Sequence, residues 1–181
     1  MKLHIGCGNV ILPGWVNLDI VAAPGVDIVD DASALNRIED ESVDIIYASH
    51  ILDHFSRHDT VAILATWRRK LRPGGTLRVA VSDFDAVVVE YICSRELTHL
   101  LGHIVGGHKS AYDKHGVVFD ETSLSECLLS AGFVDVRRWD WRQTEHRDYD
   151  DFSQAYWPHM NKTSGRHMSL NLEATKPQCT G

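Results

Sequence analysis

Short glycine-containing and acidic segments near the amino terminus carry the residues best suited to hold a nucleoside. Gly6-Cys7-Gly8-Asn9 follows one apolar run, Asp19 follows the next, and Asp30 and Asp31 follow a third. Glycine lets a backbone turn sharply and approach a ligand closely. Asp19 can accept hydrogen bonds from both ribose hydroxyls, and Asp30 or Asp31 can meet an adenine amino group. Together the acidic ends predict an adenosine pocket, although each alone is also typical of a tight turn or an acidic loop start.

A row of histidines follows the fourth apolar run. His50, His54 and His58 are spaced four residues apart. Four residues turn an α-helix by about 400°, so the three side chains share one face, with Asp53 beside it. This spacing permits a metal site. We favour the alternative in which His50 and His54 line a ligand pocket while His58 lies in solvent, and we therefore predict no metal ligands.

Three later segments carry further polar groups. His99 and His103 lie opposite the apolar face of their own segment, which predicts that both are exposed to solvent. Residues 107–115 pack several titratable groups into a loop, and residues 140–166 combine aromatic side chains with carboxylates and histidines. Binding groups concentrate on loops, and such a mixture suits a sugar or a similar polar acceptor. A structured surface loop accounts equally well for any single residue there.

The hydrophobic pattern predicts strands that alternate with helices. Strand patterns cover residues 2–5, 16–18, 26–29, 42–48, 76–81, 134–139 and 169–174. Helical patterns cover residues 59–71, 85–105 in two pieces, and 123–131, with Asp59 as one cap and Ser123-Leu124-Ser125-Glu126 as a capping box. This alternation predicts a mostly parallel, doubly wound sheet. Pro13-Gly14 interrupts the short stretch between Gly8 and Asp19, so the first helix must be clipped to about one turn.

Length, charge and cysteine usage limit the class of protein. The chain has 181 residues, which predicts a single domain over residues 1–181. Its formal net charge of −7 argues against nucleic acid as a partner. Cys7, Cys93, Cys127 and Cys179 form no CxxC pair and are read as reduced thiols. With neither a signal peptide nor an apolar membrane span in the pattern, we expect a cytoplasmic protein.

Several segments resemble the small class I S-adenosylmethionine-dependent methyltransferases. Residues 3–8 and 12–19 resemble the opening of that family, and residues 43–55 resemble its motif after the fourth strand. Residues 71–79 and 131–133 resemble its turns into the fifth and sixth strands. The resemblance covers roughly three quarters of the chain. Some relatives of this kind are associated with surface polysaccharide synthesis.

The resemblance implies a Rossmann-like, seven-stranded sheet whose last strand, residues 169–174, is antiparallel. The chain lacks the third glycine and the long helix that would bind a pyrophosphate, which argues against NAD or FAD and suits S-adenosylmethionine. Two departures from the family are the clipped first helix and Asp53, where glutamate is commoner. The expected cofactor-binding residues are Gly6, Cys7, Gly8, Asn9, Asp19, Asp30, Asp31, Ala32, Ser49 and His50.

The expected reaction is methyl transfer to a small polar acceptor, with a sugar or related hydroxyl in polysaccharide biosynthesis favoured. A hydroxyl needs a general base, for which His is the natural choice near neutral pH. We hypothesise that His108 or His54 takes the proton and that Asp83 and Tyr112 orient the acceptor. A small carboxylate or an amine stays open as the acceptor, and so does a homodimer. The rivals are a non-catalytic S-adenosylmethionine-binding protein and a nucleotide-dependent oxidoreductase.

Overall fold

The computed structural model describes residues 1–178, and one large sheet organises them. The strands are β1 (Lys2–Ile5), β2 (Val16–Asp19), β3 (Ile28–Val29), β4 (Val43–Ser49), β5 (Leu71–Ser82), β6 (Val134–Arg138), β7 (Tyr156–Trp157), β8 (Arg166–His167) and β9 (Ser169–Thr175). Seven of them form a sheet in the order β3-β2-β1-β4-β5-β9-β6, while β7 and β8 pair with each other. Strands β1 to β5 are parallel, and β9 runs antiparallel to both β5 and β6. The predicted Rossmann-like sheet with an antiparallel last strand is confirmed.

Four α-helices flank the sheet. They are α1 (Thr60–Lys70), α2 (Phe84–Ser94), α3 (Leu101–Val105) and α4 (Glu121–Ser130). Short 3-10 turns occupy Leu52–His54, Thr98–Leu100, Trp141–Gln143 and Phe152–Gln154. Within the described part of the chain, none of the helices is long and apolar enough to cross a membrane.

The connection from β1 to β2 contains no helix, so even the single turn that the sequence predicts is missing there. Gly14 has a φ of 77°, a left-handed conformation that glycine adopts readily. The side chain of Asn17 holds the loop: its Oδ1 accepts from Leu12 N at 2.9 Å, and its Nδ2 donates to the Leu12 carbonyl at 3.2 Å. The buried side-chain amide of Asn17 thus makes hydrogen bonds in this loop, where a helix would have used its own backbone.

The two faces of the sheet are covered differently. On one face α1 and α4 pack an aliphatic core, in which Leu64, Trp67, Leu124 and Leu128 belong to one buried cluster. On the other face Tyr47 is fully buried among aromatic rings rather than under a helix. Trp15, Trp139 and His146 lie edge-on or tilted against it, with His146 closest at 4.2 Å between ring centroids.

His146 packs in this cluster as a neutral aromatic ring. Burial lowers its pKa to about 4, and the nearby Asp151 carboxylate only partly opposes that effect. Neither ring nitrogen has a hydrogen-bond partner among the described residues. The aromatic cluster therefore covers Tyr47 without offering His146 a hydrogen-bond partner.

Several local predictions need correction. Helix α4 begins at Glu121, because Asp120 and Ser123 form the capping box; the predicted box starting at Ser123 is wrong. Asp59 precedes α1, but its side chain accepts no cap hydrogen bond. The third strand is shorter than predicted. Cys7, Cys93 and Cys127 carry free thiols, while Cys179 lies outside the described residues.

Candidate functional site

The glycine turn after β1 and the carboxylate after β2 form one unit. Gly6 and Gly8 both have positive φ, 64° and 53°. Gly8 N donates to Asp19 Oδ2 at 2.8 Å, and Val21 N donates to Asp19 Oδ1 at 2.9 Å. A Cβ at Gly6 would lie 2.8 Å from the side chain of Ile51, so only glycine fits where β1 approaches the segment after β4. The geometry brings the predicted glycines and Asp19 together.

The acidic residues after β3 lie beside this unit. Asp30 N donates to the Asp19 carbonyl at 3.1 Å, which joins the ends of β2 and β3. Asp30 accepts from the amides of Asp31 and Arg37, so both its oxygens shape their own loop. Asp31 Oδ1 accepts from Ser33 N at 2.8 Å. These carboxylates are thus fixed at the predicted strand end.

Three further members of the predicted cofactor set differ in environment. Cys7 is buried, and desolvation together with the charge of Asp19 raises its thiol pKa to about 11, so the thiol is neutral and unreactive. Asn9 is exposed, and its side chain lines a cavity described below. Ala32 is buried, and its carbonyl accepts from Trp67 Nε1 at 2.7 Å, so it anchors the loop after β3 to α1.

A cavity of about 520 Å³ opens at the carboxyl ends of the strands. Its volume lies in the range of small-molecule sites. One wall comes from the β1–β2 loop, and a second comes from the turn Thr98–Leu100 and helix α3. The third comes from residues 150–160. Its lining residues are Asn9, Val10, His99, His103, Asp150, Asp151, Phe152, Ala155, Tyr156, Trp157, His159 and Met160.

His99 and His103 line this cavity, so the prediction that both are exposed is wrong. The His99 ring stacks on Trp157 at 4.3 Å between centroids with an interplanar angle of 12°. Burial lowers the pKa of His103 to about 4, which leaves a neutral imidazole. Leu101, assigned to the apolar face, is exposed instead, while Leu100 is fully buried. The buried face is therefore centred on Leu100 and includes the histidine side of the segment.

Ser49 and His50 lie at the carboxyl end of β4. His50 adopts a positive φ of 49°, and its ring lies 5.6 Å from that of Phe152, a cavity residue. Its Nε2 is 3.0 Å from Ser169 Oγ, and burial lowers its pKa. Ser49 Oγ is buried with no hydrogen-bond partner among residues 1–178. Neither residue lines the cavity, but His50 packs against Phe152, which does.

His54 lies beside a residue that the sequence patterns did not single out as its partner. The rings of His54 and His115 meet edge to face at 5.1 Å between centroids, and Asp53 is buried next to both. His115 follows Asp53 by 62 positions and belongs to no local spacing pattern, so no sequence signal links the two. His58 is exposed, as predicted.

The other proposed catalytic residues lie outside the cavity lining. Asp83 is buried and caps α2, since its Oδ1 accepts from Asp85 N and Ala86 N. His108 is exposed, and its Nε2 donates to the Val105 carbonyl at 2.8 Å. Tyr112 is 60% exposed on the same loop. The structure does not bring these three together with His54, and their catalytic roles stay predictions.

Comparisons with known proteins bear on these features. A family model described as a methyltransferase domain matches residues 17–79, which is less than half of the chain. A comparison with curated proteins finds no match. Among solved structures, a possible histamine N-methyltransferase from Thermotoga maritima has a TM-score of 0.64 and 19% identity, and the match covers 97% of this chain and 81% of that one.

Two other solved structures are similar in the same way. The 1,6-didemethyltoxoflavin-N1-methyltransferase of Burkholderia thailandensis, solved with 1,6-didemethyltoxoflavin and S-adenosylhomocysteine, has a TM-score of 0.58 and 16% identity over 98% of this chain and 71% of that one. An S-adenosylmethionine-dependent methyltransferase from Archaeoglobus fulgidus has a TM-score of 0.59 and 16% identity over 97% of this chain and 85% of that one. Similarity at this identity establishes a shared fold, and it agrees with the strand order described above.

Proposed function

We propose that this chain, an S-adenosylmethionine-dependent methyltransferase with the class I fold, methylates a small polar acceptor, with a sugar hydroxyl as the leading candidate. The observation that carries the proposal is the joined unit of the glycine turn and Asp19, because Asn9 and Val10, which follow this turn, line the cavity together with aromatic, carboxylate and imidazole groups. Open α/β sheets bind ligands at this edge. We treat residues 1–181 as one domain.

The cofactor half of the proposal rests on the short turn after β1. With Gly6 and Gly8 in left-handed conformations, backbone can approach the cofactor without Cβ atoms in the way. Asp19 and Asp31 offer carboxylate oxygens for the ribose and the adenine. The connection contains no helix whose N-terminus could bind a pyrophosphate, which favours S-adenosylmethionine over a dinucleotide.

The acceptor half rests on the composition of the cavity. Trp157 and Tyr156 present aromatic faces, and Asp150, Asp151 and His159 supply polar groups. This combination suits a hydroxylated ring, since an aromatic face packs on its C–H groups while carboxylates and imidazoles bond its hydroxyls. Holding that hydroxyl in line with the methyl carbon and the sulfur accounts for much of the barrier reduction expected here.

A paired binding experiment tests the cofactor half. Asp19→Asn should weaken the binding of S-adenosylhomocysteine at least ~10-fold, since a hydrogen bond to a charged group contributes about 1.5–3 kcal/mol. Asp27→Asn is the matched control, because Asp27 also accepts from a backbone amide, that of Asn17, but precedes β3 rather than following it. Titration calorimetry measures both. Equal affinities for the two variants, or no heat with the unmodified chain, would overturn the proposal.

A second experiment concerns the acceptor contacts. His99→Ala and His103→Ala should each reduce turnover while leaving S-adenosylhomocysteine binding unchanged, because both side chains line the cavity away from Asp19. His108→Ala tests the base suggested by the sequence. The contact of its ring with the Val105 carbonyl favours little change in turnover, whereas a base at His108 requires loss of turnover.

The rival function is a cofactor-binding protein without catalysis. It predicts that S-adenosylhomocysteine binds but that no member of a panel of sugars, carboxylates and amines accepts a methyl group from S-adenosylmethionine. A role in polysaccharide synthesis, action in the cytoplasm and a homodimer belong to the proposal as expectations. The free thiols of Cys7, Cys93 and Cys127 agree with a reducing compartment.

A further inference from the structure

A buried carboxylate in the segment that follows β4, that of Asp53, has no hydrogen-bond partner among residues 1–178. The Asp53 side chain is 2% exposed, and neither of its oxygens has a hydrogen-bond donor among residues 1–178. Its nearest polar neighbours are His50 Nδ1 and His115 Nε2, each 3.6 Å from Oδ2, which is beyond hydrogen-bond distance. Burying an unpaired carboxylate is costly, and a cationic partner would offset that cost.

Hydrogen bonds to backbone carbonyls fix the tautomers of two neighbouring imidazole rings. His115 Nδ1 is 3.3 Å from the His103 carbonyl, and His54 Nδ1 is 3.3 Å from the Lys114 carbonyl. A carbonyl only accepts, so each Nδ1 carries the hydrogen and each neutral ring keeps its lone pair on Nε2. His115 Nε2 is the atom that faces Asp53.

A chain of hydrogen bonds fixes the tautomer of His50 as well, here with the hydrogen on Nε2. Asn171 Nδ2 donates to the Ser153 carbonyl at 3.0 Å, so Asn171 Oδ1 is the acceptor that Ser169 Oγ reaches at 2.8 Å. Ser169 Oγ then accepts from His50 Nε2 at 3.0 Å, which leaves the His50 lone pair on Nδ1. That nitrogen also faces the Asp53 carboxylate, so in their neutral forms His50 and His115 both direct a lone pair towards it, and a bound cation would satisfy all three groups.

We infer that Asp53, His54 and His115 bind one divalent transition-metal ion of the zinc type. One oxygen of Asp53 and one ring nitrogen of each histidine lie within 4.8 Å of one another. Tetrahedral ligands at 2.0–2.1 Å from zinc are about 3.4 Å apart, close to the 3.6 Å between Asp53 Oδ2 and His115 Nε2. Two imidazoles with one carboxylate favour zinc over magnesium or calcium, which prefer oxygen ligands.

The outer contacts also match a metal centre. Histidine ligands characteristically donate their second ring nitrogen to a carbonyl or carboxylate, as His54 and His115 do to backbone carbonyls. The three ligands join two distant segments, the turn Leu52–His54 and the loop that ends at His115. Gly116 N donates to the Asp53 carbonyl at 2.8 Å, so the segments are already in register. The ion would join this loop to the turn Leu52–His54, and this inference does not depend on the proposed function.

Metal titration of the untagged, chelator-stripped protein tests the site. One equivalent of Co²⁺ should bind with the visible absorption of a tetrahedral nitrogen–oxygen site, Zn²⁺ should displace it, and the bound ion should raise Tm. His115→Ala and Asp53→Asn should each weaken Zn²⁺ binding by more than roughly 100-fold, as measured by competition with a chelating dye. His58→Ala is the matched control, since His58 lies in the same segment but is exposed.

Two results would overturn the site. One is wild-type protein that takes up no stoichiometric metal, and the other is wild-type affinity in both ligand variants. Circular dichroism identifies a variant that fails to fold, and Asp53→Asn then serves in place of His115→Ala. Calorimetry with S-adenosylhomocysteine on stripped protein separates the two hypotheses, because cofactor binding without metal binding refutes only the metal site, and the reverse refutes only the cofactor proposal.

Discussion

The two halves of the ligand-binding edge are built by different means. The cofactor half uses contacts between close neighbours in sequence, such as Gly8 with Asp19 and Asp30 with Arg37, and its acidic groups are held by backbone amides. The acceptor half uses side chains far apart in sequence, such as Tyr47 with Asp151 and His99 with Trp157. The difference teaches that local chain geometry holds the carboxylates of the cofactor half, although its Gly6 lies against a distant residue, Ile51. Completed tertiary packing is needed for the acceptor half.

The largest effect is expected from a substitution in the glycine turn of the cofactor half. Gly6→Ala places a Cβ at positive φ and within 2.8 Å of Ile51, so we expect at least ~100-fold weaker binding of S-adenosylhomocysteine together with lower stability. Gly14→Ala is the control, because Gly14 also has positive φ but has open space around its Cβ position. It should cost only about 1 kcal/mol of unfolding free energy and leave binding intact. Calorimetry and urea denaturation measure both, and equal binding by the two variants would refute the comparison.

The next effect concerns the pH dependence of the aromatic cluster. The pKa of His146 is about 4 in the folded protein and near 6.5 when unfolded, so the unfolded state takes up the proton first as pH falls. Stability from this group is complete above about pH 6.5 and declines towards pH 4, by about 3 kcal/mol. His146→Phe keeps the packing against Tyr47 and should flatten this decline, whereas His58→Gln should not. Urea midpoints at neutral and mildly acidic pH decide, and parallel profiles for all three proteins would contradict the prediction.

The smallest effect is expected at a long-range contact of the acceptor half, the hydrogen bond between Tyr47 and Asp151. The Tyr47 hydroxyl donates to Asp151 Oδ2, and burial together with that carboxylate raises the pKa of Tyr47 well above its usual value. Tyr47→Phe should lower the unfolding free energy by about 1 kcal/mol, because Asp151 keeps its bond from Ser153 N. Tyr149→Phe, at an exposed position, should change nothing measurable. Chemical denaturation measures both, and a loss in Tyr149→Phe equal to that in Tyr47→Phe would remove the distinction.

Sequence patterns predicted the parts of the molecule that depend on short spacing. The mostly parallel sheet, the antiparallel β9 and the shortened connection after β1 follow from apolar runs, from the family resemblance and from Pro13-Gly14. The exposure of His99 and His103 was wrong because a helical face judged from leucines ignores which face α2 and Trp157 cover. Asp53 could be seen only as a neighbour of His54, since its contact with His115 exists only after the loop has folded back.

Strand β9 lies between β5 and β6, although it is the last strand among residues 1–178. During synthesis, β5 and β6 therefore emerge with facing edges that stay unpaired until Thr175 has left the ribosome. Open strand edges invite pairing with other chains. The molecule thus completes its large sheet in a single late insertion, and until then the open edges of β5 and β6 favour aggregation of the nascent chain.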